Sequence, residues 1–430
     1  MDNEGSRKAP RDAGWQRTLY ASVAAQFLVS AGIGFVFPFL PFFIKTLGVQ
    51  SEQEVRRWTG YIFAANGITM CIFAPIWGAV GDRYGRKLMV LRSMLAIGVF
   101  IVLMGFVRKP WQLFALRMAQ GTLSGTISAN MAMVSSTVPT ARLGFAMGLI
   151  YVAADAGRVL GPTVGGVLAD TVGFRVTFWL AGALPLAGAL LIGLLALEPP
   201  LPSKEAAAGV AATGATFLKL LTISGVAAVM LVLFQTSFAG SIAQPLMPLY
   251  VAGLRGTEER AASVTGGIIS GQAIAALLAT GYLGKMSDRW GHRRMLLVGT
   301  SAAAFLLSLH AFARNLVDLT VLRTLMGFTS AAIMPSSSAL IRRLAPPESI
   351  GKAFGLSQSV RSMGHVLGPL TGGFISARVA GMMGLRVPFL LAGTMMGLAA
   401  AVLAWQVRAA RSARAAEAER ATADTIKGRA

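Results

Sequence analysis

Acid and sulfur are scarce in this chain, which holds 18 carboxylates against 39 basic residues, 3 histidines and a single cysteine in 430 residues. One cysteine, Cys71, excludes an intrachain disulfide, and with so few histidines metal or redox chemistry has no clustered ligands to use. Cys71 sits in an apolar run, where it is expected only to fill space. There is no His-x-x-x-His pair, no nucleophile with a base at workable spacing and no phosphate-cradling Gly-Lys-Ser/Thr loop, so neither a membrane enzyme nor direct drive by ATP has residues to rest on. Charge of any sign is low, at 13% of residues, where soluble domains carry about 25%.

What the chain has instead is apolar length, with 54% of residues hydrophobic. Windows of about 20 residues almost free of charge follow one another, each long enough for a helix to cross a hydrocarbon core of roughly 30 Å. Spans are read near 19–44, 59–81, 88–107, 111–136, 144–169, 176–197, 217–251, 262–284, 295–313, 316–341, 351–377 and 387–408. The first is too long for a cleaved signal core and is read as a retained span. The fold expected is an all-α polytopic membrane protein of 12 transmembrane helices.

A net charge of +21 suggests nucleic acid only until the cations are placed. With the N-terminus cytoplasmic, most of them fall on that side and only Arg117, Arg158, Arg323 and Arg361 fall within spans. That bias puts both termini in the cytoplasm and removes nucleic acid as a partner. The basic tail, with Arg408, Arg411 and Arg414, is set against anionic lipid headgroups.

Between the sixth and seventh spans, Glu198-Pro199-Pro200-Leu201-Pro202-Ser203 opens a linker that no unbroken helix crosses. The division expected is a tail at 1–18, a six-helix bundle at 19–197, a cytoplasmic linker at 198–216, a second bundle at 217–408 and a basic tail at 409–430. The halves repeat at an almost constant offset. Pro38 and Pro41 return as Pro245 and Pro248, Arg117 and Gly121 as Arg323 and Gly327, and Gly161-Pro162-Thr163-Val164-Gly165-Gly166 as Gly368-Pro369-Leu370-Thr371-Gly372-Gly373. Gly173-Phe174-Arg175-Val176 is echoed by Gly384-Leu385-Arg386-Val387. A shared register argues for duplication of a six-helix unit, and two pseudo-symmetric bundles facing each other leave a central cavity near the midplane.

Two charged turns interrupt the apolar runs at matching places. The first holds Gly78, Asp82, Arg83, Gly85, Arg86 and Lys87; the second holds Gly284, Asp288, Arg289 and Gly291, with His292 where an arginine stands in the first. Such a carboxylate at a helix end can pair with a cation or cap a neighbouring helix N-terminus in only one arrangement of the bundles, and so acts as a gate. These turns, the doubled layout and the paired Gly-Pro elements resemble the major facilitator superfamily, specifically its twelve-span drug:proton antiporters, from about residue 19 to 408. The first turn matches the family pattern Gly-x-x-x-Asp-Arg-x-Gly-Arg-Lys throughout. The resemblance implies export of small molecules driven by a proton gradient in a bacterial inner membrane, with no cofactor and as a monomer.

The element Gly157, Gly161, Pro162, Gly165, Gly166, with its copy Gly364, Gly368, Pro369, Gly372, Gly373, presents small residues for close helix packing. The resemblance makes it the hallmark of exporters. Asp155 is the only acid placed well inside a span, and Arg158 lies three residues on, near enough to pair with it. A movement that separates them would let the carboxylate take up a proton; a permanent structural pair is the other reading. Arg117 matches an Arg-x-x-x-Gly element whose arginine the resemblance assigns to proton coupling, while snorkelling to the interface is the plain alternative. Gln26, Phe35, Asn130, Tyr151, Phe234, Gln235 and Arg361 are the expected cavity residues. His310 and His365 are read as packing. One interior acid against four interior arginines predicts anionic, zwitterionic or neutral amphiphiles rather than cations as substrates, and no acid stands in the first span to attract a cation. Export of an endogenous acid such as a siderophore, or proton-coupled uptake, are the alternatives.

Overall fold

The computed structural model describes residues 12–198, 222, 225–346 and 349–427, and among these every regular element is helical. The expected linker lies, apart from Glu198 and residues that flank it, outside the described residues. Residues Asp12–Val36 form α1, Leu40–Thr46 α2, Glu52–Tyr84 α3, Arg86–Met104 α4, Pro110–Thr122 α5, Thr126–Thr137 α6, Leu143–Val172 α7 and Phe174–Leu195 α8. The second half follows with Val226–Ile242 as α9, Met247–Arg255 α10, Ala261–Trp290 α11, His292–His310 α12, Leu316–Leu344 α13, Ile350–Arg378 α14 and Gly381–Lys427 α15. Helix α15 runs past the last expected span without a break into the basic tail.

Eight helical stretches among the described residues are long and apolar enough to cross a membrane, one of them α9 together with α10. The other crossings of the twelvefold layout are α3, α5 with α6, α12 and α14. Three passes are broken, each by its own sequence. Pro41 near the start of α2 and Pro245 and Pro248 around α10 cannot donate to the preceding turn, so α1 and α9 end and short helices restart beyond them. The fourth pass breaks at Leu123-Ser124-Gly125, where Gly125 takes φ +117°. In the charged turns, Gly85 and its copy Gly291 take φ +107° and +91° with extended ψ, a conformation open to glycine alone, and this lets consecutive helices reverse within one residue.

Each bundle has an aromatic core near the ends of its first pass. Phe39 and Phe43 meet Phe178 at 5.0 and 4.9 Å, and Phe389 meets Tyr250 at 5.3 Å and stacks with His310 at 5.3 Å. Cys71 is exposed on α3, so it does not fill the space expected of it.

The two bundles meet along two seams, α3 against α14 and α7 against α11. The seams are tight only in the half away from the termini, here called the far face. A Cβ on Gly60 would stand 2.7 Å from Pro369 O and 2.9 Å from Gly373 Cα, and one on Gly166 or Gly266 would overlap backbone of Ala262 or Pro162 in the opposite bundle. Towards the terminal face the same helices separate. Added Cβ atoms on Gly144, Gly148, Gly281, Gly284 and Gly355 would meet nothing within 4 Å.

Candidate transport cavity and its seals

Between the separated halves lies a cavity of about 450 Å³ lined by both bundles. Gln26, Ile33, Phe37 and Arg158 line it from the first half, and Gln244, Met247, Gln272, Arg323 and His365 from the second. Of the residues expected there, Gln26 and Arg158 are in the wall. Asn130 is fully buried one layer behind, its amide donating to Ser22 O at 3.0 Å and Gln26 Oε1 at 3.4 Å, so it fixes the glutamine. Tyr151 and Arg361 are not among the lining residues; Tyr151 is exposed, and Arg361 is in electrostatic reach of it and of Arg158.

Phe35, Phe234 and Gln235 are corrections. Phe35 packs where Gly165 lacks a side chain, Phe234 stacks on Phe238 at 5.9 Å beside Gly364, and Gln235 is buried away from the cavity wall. Phe37, in the turn just beyond α1, lines the cavity where Phe35 inside the helix does not, and α9 turns Phe234 and Phe238 to Gly364 of α14. His365 is a second correction, since it lines the cavity and its Nδ1 lies 3.0 Å from Ser241 Oγ.

Asp155 and Arg158 do pair, at 2.5 Å, but their side chains are 52% and 56% exposed. The burial that made the pair costly is absent because α7 faces the open half of the molecule there. Arg117 and Arg323, in contrast, are each only 7% exposed, so neither snorkels. Arg117 donates to Gln120 Oε1 at 3.2 Å and lies over Phe63; Arg323 donates to Gln272 Oε1 at 3.3 Å and lies over Phe389. Among the described residues neither arginine has a carboxylate partner, and the Nε of each is buried without an acceptor. Asn66, which reaches Gln120 Oε1 at 3.5 Å, and Gln272 are related by the same offset as the arginines, a signal by which Gln272 could have been found.

The glycine elements divide by task. Gly157, Gly161 and Gly165 give up their side-chain space to α1 of their own bundle, and Gly364, Gly368 and Gly372 give theirs to α9. Gly166 and Gly373, one residue further, turn to the opposite bundle, against Ala262 and Gly60 respectively. Pro162 and Pro369 are buried within α7 and α14, and Pro162 O lies where a Cβ on Gly266 would fall.

Two side chains close the far face as helix caps supplied across the seam. Arg56, 2% exposed at the start of α3, donates to Ser376 O, Val379 O and Gly381 O at 3.2, 3.1 and 3.1 Å, carbonyls at the end of α14 and the start of α15. Asp170, at the end of α7, accepts from Ser263 N at 2.8 Å and Ser263 Oγ at 2.5 Å in the first turn of α11. A cation at a C-terminus and an anion at an N-terminus both match the helix dipole. Lys45 and Glu258 add an ion pair between the bundles. None of these was singled out from sequence, because a cap in trans has no fixed spacing.

The charged turns behave differently in this arrangement. In the first, Lys87 Nζ donates to Gly193 O and Ala196 O at 3.0 and 2.7 Å at the end of α8, Arg86 donates to Ala132 O at 2.9 Å, and Glu198 accepts from Lys87 N at 3.2 Å. All these contacts stay within one bundle. The side chains of Asp82 and Arg83 and the surroundings of Gly78 lie outside what is described. In the second, His292 Nδ1 lies 2.9 Å from Ser287 Oγ, while Asp288 is 76% exposed and 4.0 Å from His292 Nε2. Arg289 is exposed too, and Gly284 borders open space.

Twelve passes in two related bundles, with a polar cavity at their junction and a seal on one side of it, define a membrane transporter. The model of the Major Facilitator Superfamily matches residues 23–271 and 229–428, and the chain belongs to that family. It is 34% identical over 371 residues to the multidrug resistance protein MdtG of Yersinia enterocolitica, covering 86% of this chain and 89% of that one. To the MdtG of Escherichia coli it is 32% identical over 399 residues, 91% and 94% of the two chains. Among solved structures, a bacterial homologue of the human lysosomal transporter Spinster, inward-facing and unoccupied, superposes with TM-score 0.76 at 15% identity, covering 94% of this chain and 98% of that one. The nucleoside transporter NupG superposes with TM-score 0.71 at 14% identity, covering 91% of this chain and 99% of that one. The chain is a multi-pass membrane transporter, not an enzyme.

Proposed function

We propose that the chain exports small amphiphilic molecules from a bacterial cytoplasm across the inner membrane, in exchange for protons, by alternating access. The observation that carries this reading is the one-sided seal: every described cross-bundle cap and glycine contact is at the far face, while the cavity opens between the halves towards the terminal face. With both termini cytoplasmic, this is the state that loads substrate from inside. The MdtG relatives are named for multidrug resistance, and their identity over most of the chain supports export of drugs.

Cavity charge favours an anion. Arg158 and Arg323 line the wall with no acid among the described lining residues, and Asp155 is already engaged by Arg158. Anionic, zwitterionic and neutral amphiphiles are therefore the proposed substrates, and an endogenous secreted acid such as a siderophore fits the same wall as the second reading. Transport in proteoliposomes under an imposed pH gradient, with a panel of anionic, neutral and cationic compounds, tests direction, coupling and charge preference together. Cation efflux with no response to anions would overturn the preference. Within that assay, Arg323→Gln is expected to slow anionic substrates about tenfold, the loss of one charge-assisted contact of about 1.5 kcal/mol, and to leave neutral ones unchanged. Equal losses for both classes would show that Arg323 acts on the fold and not on the ligand.

Asp155 is the proposed proton carrier, since its partner Arg158 faces the cavity and a substrate anion can compete for it. Asp155→Asn is expected to abolish proton-driven accumulation while leaving downhill exchange. Full proton-coupled efflux in that variant would remove Asp155 from the mechanism.

A further inference from the structure

Within the first bundle, away from the transport cavity, a separate pocket of about 290 Å³ lies between α3, α4 and α6. Trp77, Arg86, Arg92, Ser124, Gly125 and Ser128 give it its chemistry. The Arg92 guanidinium lies 3.6 Å from the centroid of the Trp77 ring and donates to Ser124 O at 3.4 Å, its one acceptor among the described residues. Arg92 Nε and Nη1 and Arg86 Nε are buried with no hydrogen-bond partner among the described residues. Three idle cationic N–H groups in one small cavity are a costly arrangement unless something accepts from them.

The opposite wall offers more donors. Helix α6 begins at this pocket with Gly125 as its N-cap and no side-chain cap, and Ser128 spends its hydroxyl hydrogen on Gly125 O. The first-turn N–H groups of α6 are therefore left without an intrahelical or side-chain acceptor, at the positive end of its dipole. No carboxylate lines the pocket among the described residues. We propose that this pocket is a binding site for a phosphate-type anion, held by the Arg86 and Arg92 guanidiniums and the α6 N-terminus, with Trp77 keeping the Arg92 plane in place.

The position of the pocket suits two sources of that chemistry. It extends from Gly81 and Arg86, at the terminal face beside the first charged turn, to the break in the fourth pass at Ser124-Gly125. A phospholipid headgroup reaches it from the leaflet, and a free phosphate reaches it from solution. Either would tie α6 to the turn at Arg86 and so stiffen the broken fourth pass, which lines the cavity through Thr126 and Ile127.

The test uses full-length protein in phosphate-free detergent micelles, titrated separately with inorganic phosphate, with dioleoylphosphatidylglycerol and with sodium chloride at matched ionic strength. Thermal unfolding reports binding, and native mass spectrometry counts retained lipid. A saturable rise in unfolding temperature is expected with phosphate or with the phosphatidylglycerol and not with chloride, with affinity at least tenfold weaker in both Arg92→Gln and Arg86→Gln. Phosphate acting alone marks a free-ion site; the lipid acting while phosphate is silent marks a headgroup site. No saturable effect from either probe overturns the proposal, and so does an effect undiminished in both variants. An effect confined to Asp82→Asn also overturns it, since Asp82 would then already occupy the site.

Discussion

Gly166→Leu is expected to leave the protein folded and to reduce transport to about 1% of wild type or less. A Cβ at this position would overlap the Ala262 carbonyl and come within 3.0 Å of Ser263 Cα, both backbone atoms of α11 in the other bundle. A side-chain tip can swing away from such an overlap; helix backbone cannot. Overpacking of this kind costs about 1–3 kcal/mol even where neighbours relax. Here the whole cost falls on the state with the far face shut, because the residue touches the opposite bundle only there. A bias of about 3 kcal/mol removes that state from more than 99% of molecules. Gly161→Leu, one turn away, makes the contrast, since its Cβ would overlap α1 of its own bundle and so weaken the fold itself. The measurements are proteoliposome flux, unfolding temperature and disulfide formation between Cys residues placed at Asp170 and Ser263 in a Cys71→Ser background. Gly166→Leu should lose flux and crosslink yet keep its unfolding temperature. Flux within twofold of wild type would mean that the seam from α7 to α11 does not close during transport.

The doubled architecture was legible in the sequence because it rests on register, which apolar periodicity and the paired landmarks Arg117/Arg323 and Pro162/Pro369 carry directly. The glycine elements were legible as packing devices, and the Asp155–Arg158 pair as a pair, since an i, i+3 spacing on a helix settles both. Which glycine serves which neighbour was not legible. Gly165 and Gly166 are adjacent in sequence, yet one faces α1 and the other the opposite bundle, and only the placement of α11 separates their tasks. The cavity wall failed in the same way. Phe35 and Phe37 are equally plausible until the rotation of α1 is known, and Gln272 carries no motif beyond the offset linking it to Asn66. Asp155 was read as buried because its flanking sequence is apolar; it is exposed because the bundles part around it, a property of their mutual orientation. Arg56 and Asp170 look like ordinary residues near span ends, for their partners across the seam are 320 or more, and 93, residues away and are mostly backbone groups.

Arg56 carries the second large expectation. Its guanidinium is almost wholly buried, and its four described hydrogen bonds go to three carbonyls of the other bundle and to Glu52 Oε2 at 3.0 Å. Gly384 leaves the space that Nη1 occupies, so the site is shaped to one side chain. Hydrogen bonds from a charged donor contribute about 1.5–3 kcal/mol each in net terms, and those to Ser376, Val379 and Gly381 exist only while α3 and α14 touch. Arg56→Ala is therefore expected to move the conformational equilibrium towards an open far face by about 2–4 kcal/mol, roughly 30-fold to 1000-fold in the population ratio. Arg56→Lys should rescue little, since an ammonium presents no planar fork and cannot reach three divergent carbonyls at once. Glu52→Gln should change the ratio less than threefold, because Glu52 is 66% exposed and its pair with Arg56 is held within one helix. Spin labels at Thr46 and Thr257, on opposite bundles at the far face, read the ratio as a distance distribution in reconstituted protein. A distribution in Arg56→Ala that matches wild type would show that the Gly60–Gly373 and Gly166–Gly266 contacts hold the far face by themselves, and that the arginine only fills a gap they leave.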